Sequence, residues 1–443
     1  MKPYVIYKDL TATKKLLENM EEGEDESSAL RKIRTQLTND ISYGSGSSSY
    51  EAVKELFQGQ ANWEEYRPTN RIVGSDPHSF KVTFKEDFFD FSLEGVNHFI
   101  GTVAGDVLLN KDIESIIVDD FGFDCSEKED ICNVFPGPNY GIDGVYNLFG
   151  NPERPLLAYS IKPRMGYNPT QFAKIFEAAA CGGADIVEDD ERMISPVYCP
   201  VMQRIEIAGD LQKRYKNTFY SANVSGTLDN MMKWIKHAND NGIKFVKIDV
   251  MVTGFDALRC ASELIKQKGY DIRITVYPDA VNKYRGLSRN FVLKMARLCG
   301  ADVIYAGSPR WSRNDDFSAD LFTECQKINN RHLMLEDQKG YWSTIKPTLS
   351  TLSNDISDQS AEVITWLFKH CFSREKFAFF IGHTISSSSL SIEKETRNIQ
   401  DRIKKAADSK KDELYIVDKR EKHVEGIEDY DNLNLSSFFR EVM

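Results

Sequence analysis

The residues of this chain that could do chemistry gather in one stretch, Leu156 to Met193. An apolar run, LLAYSI, ends in Lys162 and Arg164. After a helix-like segment, a short run of β-branched residues ends in Glu188, Asp189, Asp190 and Glu191. Two parallel strands joined by one helix end on the same rim of their sheet. A lysine beside clustered carboxylates on one rim suits a divalent hard cation and an amine of altered basicity. Side chains switch faces at every residue of a strand. Glu188 and Asp190 therefore share one face, Asp189 takes the other, and Glu191, just past the strand, can turn in over the rim. Glu188, Asp190 and Glu191 form a candidate oxygen cradle for Mg2+, which takes a few carboxylates plus water and substrate oxygens. The same acids also suit a solvated loop with lysine partners.

These residues need a scaffold, and 443 residues suffice for a large barrel with a smaller domain. Hydrophobic content is 41% and charged content 28%, an ordinary globular balance. The net charge of −11 opposes a general nucleic-acid surface. No apolar run reaches the roughly 20 residues of a membrane span. The opening MKPYVIYKDL lacks the apolar core of a signal peptide. Eight cysteines are scattered without a CxxC pair, which argues against zinc and for a reducing, cytoplasmic setting. The expected partner is a small molecule, with no nucleic acid and no membrane.

From Pro155 onward, strand-like and helix-like segments alternate. The candidate strands are Leu156–Lys162, Ile186–Asp190, Phe219–Val224, Phe245–Val250, Ile272–Tyr277, Val303–Ala306, His332–Leu335 and Phe377–Ile381. Helix-period segments lie between them, and glycines at 182, 242, 269 and 300 supply stop signals. Eight such units predict a (β/α)8 barrel over residues 146–410. Residues 1–145 predict an N-terminal α+β domain of the ferredoxin-like type, with an edge strand at Tyr4–Tyr7, further strands at Phe80–Phe84 and Ile113–Val118, and a helix from Phe91 to Leu109. The Pro/Gly turn FPGPNYGI, residues 135–142, marks the junction. Residues 411–443 form a charged tail.

In such a barrel the chemistry sits at the C-terminal ends of the strands. Those ends would carry Lys162 and Arg164, then Glu188, Asp190 and Glu191, then Asn223 and Ser225, then Asp249. They would continue with Tyr277 and Asp279, Ser308 and Arg310, Asp337 to Lys339, and Gly382 with His383. Asp249 is a candidate catalytic group or a salt-bridge partner of Lys247 or Lys162. Asn223 could bond the metal shell. His383 is a phosphate contact or an ordinary loop histidine.

FPGPNYGI, RPLLAYSIKPRMG and CGGADIVEDDE, in that order and at those distances, resemble the RuBisCO large-chain family. FYSANVSG, VKIDVMVTGFDALR and GLSRNFVLKMARLCGADVIYAGSP look more like the RuBisCO-like proteins than the carboxylases. The resemblance implies an α+β domain followed by a (β/α)8 barrel. It also implies a homodimer, or a larger assembly, in which the N-terminal domain of one chain closes the barrel site of its partner. It makes Lys162 the general base that removes a proton beside a ketone carbonyl. Asp190 and Glu191 become Mg2+ ligands, and Asp106 becomes the polar residue offered by the neighbouring chain.

The departures from the family are as informative. The third metal ligand there is a lysine carbamate, an anionic oxygen donor, and Glu188 stands in its place with a shorter side chain. Glu188 either ligates directly, ligates through a water, or marks a site without metal. The loop after the sixth strand, SPRWSRNDDF, has no lysine, although Arg310 or Arg313 could reach in. A strand-5 histidine–arginine pair is replaced by Tyr277 and Pro278. Gln338-Lys339-Gly340 replaces a Ser-Gly-Gly, and Ile381-Gly382-His383 replaces a triple glycine. Phosphate cradled by backbone N–H groups needs glycine for close approach, so a bisphosphate substrate is disfavoured. The expected function is Mg2+-dependent enediolate formation on a sugar-derived ketose or keto acid. Isomerisation, tautomerisation or decarboxylation would follow, without fixing CO2. A non-catalytic binding or scaffold protein is the alternative.

Overall fold

The structure, a computed structural model, describes residues 1–20, 24–43, 67–105, 108, 110–124, 130–278, 286–309, 319–336, 340–353 and 356–410. Four antiparallel strands form the N-terminal sheet: β1 (Lys2–Ala12), β2 (Thr69–Val73), β3 (Asp76–Thr83) and β4 (Ile113–Asp124). Their order is β2-β3-β1-β4, with helices between β1 and β2 and between β3 and β4. That is the βαββαβ arrangement of a ferredoxin-like fold. The segment expected at an edge, Tyr4–Tyr7, lies inside the sheet, because β1 pairs with β3 on one side and β4 on the other. Within it Val5 and Tyr7 alternate into the core and are fully buried. The helix expected from Phe91 to Leu109 is broken at Gly95, giving Phe91–Glu94 and Asn97–Ala104. Gly95 has φ +63°, and an added Cβ would lie 2.1 Å from the Asp256 carboxylate that accepts from Val96 N–H.

Eight parallel strands close the barrel: β5 (Leu156–Ser160), β6 (Ile186–Glu188), β7 (Phe219–Asn223), β8 (Phe245–Asp249), β9 (Arg273–Tyr277), β10 (Val303–Gly307), β11 (Leu349–Ser353) and β12 (Ala378–Ile381). Seven of the eight expected strands overlap these. The seventh does not. His332–Leu335 belongs to the helix Ala319–Glu336, in which Cys325, Ile328, His332 and Leu335 are buried at helical spacing. The true seventh strand, LSTLS at 349–353, is buried at every position, and its hydroxyl-bearing residues concealed it. Lys339, with Asp337 and Gln338, therefore precedes this strand in the chain instead of following it. Those residues follow a helix and not a barrel strand in the chain, and they lie outside the described residues. The expected glycine stops do end helices, with Gly269 at φ +62° and Gly300 at φ +114°.

The barrel interior has an apolar floor. Ile142, Val145 and Tyr146 pack under Leu156, Ala158, Ile186, Phe245, Val303, Leu349 and Ala378. The turn at 135–142 is tied to the barrel by Asp302, fully buried, whose carboxylate accepts from the N–H groups of Tyr140 (2.7 Å), Gly141 (2.8 Å) and Ile274 (3.0 Å). Replacing Asp302 with alanine orphans three buried donors at once. A loss of about 3 kcal/mol or more is expected in chemical denaturation, since each unsatisfied buried group costs about 1–3 kcal/mol.

Candidate active site at the barrel rim

The strand registers set the site. Ser160 of β5 pairs with Glu188 of β6, which pairs with Ser221 of β7, so these three stand at one level near the C-terminal ends. One pleat step separates Glu188 from Asp189, and the two face opposite ways as the alternation requires. Asp189 turns outward and is fully buried against Arg204 of the helix Val201–Arg214, with Oδ2 2.9 Å from Nη2. It also accepts from Tyr220 Oη (2.6 Å) and Asn223 N–H (3.0 Å). Arg204 also donates to the carbonyls of Met193 (2.8 Å) and Ile194 (2.7 Å). This pair clamps the loop that carries Asp190 and Glu191.

Glu188 turns inward and is fully buried. Its Oε1 lies 2.8 Å from Lys247 Nζ of β8 and 2.5 Å from the Tyr305 hydroxyl of β10, and its Oε2 lies 3.3 Å from Ser221 Oγ. Lys247 is itself 1% exposed and also donates to the Asp189 carbonyl at 3.2 Å. The rings of Tyr277 and Tyr305 flank its ammonium, with centroids 4.8 and 5.3 Å away. Burial opposes both charges: it pushes the Glu188 carboxyl up against the pull of Lys247 and Tyr305, while at Lys247 the acids Glu188, Glu191 and Asp190 outweigh it and hold the pKa above the ordinary lysine value.

Asp190 sits above this layer, fully buried, in a salt bridge with Lys162 and 3.8 Å from Arg164 Nε. Its other oxygen accepts from the Arg192 N–H at 3.1 Å. Glu191 lies 3.7 Å from Arg164 Nη1. Lys162 crosses the end of β12, where Gly382 makes room for it. A Cβ on Gly382 would lie 3.0 Å from Lys162 Cε and 2.5 Å from the Ser160 carbonyl.

The structure thus brings Lys162, Arg164, Glu188, Asp190, Glu191 and Gly382 together, but not as a cradle with one centre. Each acid has its own cation, and among the described residues no group of three or more His, Cys, Asp or Glu converges as a metal site. This donor set does not fit a resident divalent ion. Asn223 is likewise committed: its amide donates to the carbonyls of Asp190 (3.1 Å) and Glu191 (2.9 Å), so it shapes the acidic loop. Asp249 caps the short helix Val250–Thr253 by accepting from Met251 N–H. His383 is exposed and turns to Ser387 Oγ, 3.1 Å away. Asp106, Arg310 and Lys339 lie outside the described residues. The sequence reading missed Lys247 and Tyr305 as site residues. Lys247 shares a strand face with Asp249, so the alternation that separated Glu188 from Asp189 could have found it.

The ribulose bisphosphate carboxylase large chain, catalytic domain, matches residues 141–361. The chain belongs to the RuBisCO large-chain superfamily. It is 26% identical over 262 residues to a ribulose bisphosphate carboxylase of Thermococcus kodakarensis, covering 57% of this chain and 58% of that one. With the Methanosarcina mazei ribulose bisphosphate carboxylase it shares 24% identity over 310 residues, covering 66% of this chain and 70% of the relative. Its fold is that of the dimeric archaeal Rubisco of Hyperthermus butylicus, with TM-score 0.73, 22% identity, and 91% and 90% of the two chains covered. The octameric enzyme of Pyrococcus horikoshii gives TM-score 0.74 at 18% identity, with 91% and 88% covered. No helix among the described residues is long and apolar enough to cross a membrane.

Replacing Arg204 with methionine would leave the Asp189 carboxylate buried without its cation. Breaking such a pair costs about 3–5 kcal/mol. The expected result is a loss of that size in denaturation.

Proposed function

We propose that this chain is a RuBisCO-like enzyme that moves a proton next to a carbonyl group of a small sugar-derived ketose or keto acid, and does not fix CO2. The observation that carries the reading is Lys162, held at the rim by Asp190 with Arg164 beside it and 17% of its side chain exposed. In its neutral form Lys162 takes the proton from the carbon next to the carbonyl. The electron pair of that C–H bond moves to the carbonyl and leaves an enediolate. Asp190 stabilises the ammonium so formed, and Arg164, 46% exposed, faces the developing oxyanion. Return of the proton to the former carbonyl carbon, as the hydroxyl proton passes from the neighbouring oxygen to the enediolate oxygen, completes an isomerisation. The resemblance implies Mg2+ as well, but the engaged donors do not fit it and no step here uses it. The lack of a lysine in residues 308–317 and the glutamate at position 188 both speak against carboxylation. The setting is a cytoplasmic homodimer whose partner's N-terminal domain closes the site.

A second reading, a binding or scaffold protein without turnover, has one observation in its favour: every acid of the cluster is neutralised internally. Thermal-shift screening of sugar phosphates and sugar acids, followed by NMR of the stabilising ligand in deuterated water, separates the two readings. The enzyme exchanges the α proton of its ligand for deuterium. Lys162→Met should slow that exchange by roughly 100-fold or more while the ligand still binds. Ligand binding without exchange in the wild type would establish the second reading.

A further inference from the structure

We infer that the Lys247 ammonium is the resident cation of this barrel, compensating Glu188 and closing the acidic cluster to a divalent metal ion. Three observations carry this. First, Lys247 and Glu188 are both sealed from water, at 1% and 0% exposure, and stand 2.8 Å apart. An uncompensated charge there would be strongly destabilising, so each is needed by the other. Second, the ammonium is fully spent. It faces Glu188, the Asp189 carbonyl and the rings of Tyr277 and Tyr305, and no direction is left for a ligand. Third, Glu188 is engaged at both oxygens, by Lys247 and Tyr305 at Oε1 and by Ser221 at Oε2. A divalent ion bridging Glu188 to Asp190 would have to displace Lys247 and then Lys162, two positive charges already in place. Lys247 is on this argument a positioning residue. It fixes Glu188 and, through the Asp189 carbonyl, the start of the acidic loop.

The test needs no substrate. Mn2+ binding is followed by electron paramagnetic resonance, and the melting temperature is measured with Mg2+ and with EDTA, in the wild type, Lys247→Met and Asp190→Asn. The wild type is expected to leave the free Mn2+ signal undiminished at millimolar Mn2+ and to melt at the same temperature in Mg2+ and EDTA. Lys247→Met should melt several degrees lower, bind Mn2+ roughly tenfold more tightly or better, and recover part of its stability in Mg2+. If Lys247→Met fails to fold, the double variant Glu188→Gln, Lys247→Met removes both charges together and is expected to fold and stay silent to Mn2+. One-to-one Mn2+ binding by the wild type that disappears in Asp190→Asn would overturn the inference. So would a Lys247→Met protein as stable as the wild type and silent to Mn2+.

Discussion

A carboxylate sealed inside a barrel can stay ionised only with a cation beside it, and the top layer of this barrel is built around that requirement. Glu188 comes from β6, Lys247 from β8, Tyr305 from β10 and Ser221 from β7. Strands β6 and β10 are not neighbours in the sheet, and they meet only because the barrel closes on itself. The interaction therefore depends on the whole fold, and the fold gains a fixed polar centre above its apolar floor. Tyr277 and Tyr305, packed edge to face at 4.8 Å, complete the wall on the other side of the ammonium.

The acidic run illustrates how one short segment serves three environments. Glu188 points into the barrel, Asp189 points out to Arg204, and Asp190 stands at the rim against Lys162. Period-two geometry alone divides the first two. The third is placed by the backbone beyond the strand, which Asn223 holds by its two carbonyls and Arg204 holds through those of Met193 and Ile194. The reach of Lys162 over β12 depends in turn on the missing Cβ of Gly382. The placement of the rim residues thus rests on buried groups beneath them.

Most of the barrel was legible in the sequence because parallel strands buried on both faces read as apolar runs, and their helices end at glycines. The seventh strand was not, because Leu349–Ser353 carries hydroxyls inside the barrel while HLML in the preceding helix imitates a strand. In a window of four residues an apolar run has no period to read. Only the longer spacing of Cys325, Ile328, His332 and Leu335 reveals the helix. At the site, the rim positions of Lys162 and Asp190 were readable from where strands end. The direction of Glu188 was readable too, and alternation along β8 puts Lys247 on the face of Asp249, but the meeting with Tyr305 was not, since β6 and β10 come together only on closure.

The length of Glu188 explains why its oxygens and those of Asp190 and Glu191 do not share a centre. A carbamylated lysine at the same strand position would carry its oxygens further along the side-chain direction, up toward the rim acids. Glutamate stops short, and its carboxylate stays at the level of Ser221 and Tyr305. At that depth no water can compensate it, so a cation must come from the barrel wall. Lys247, two residues before the end of β8, is placed to provide one. With Glu188 neutralised from inside, Asp190 and Glu191 retain only the cations on their own side, Lys162 and Arg164. The glutamate at position 188 and the lysine at position 247 therefore depend on each other, since either alone would leave a bare charge in the barrel.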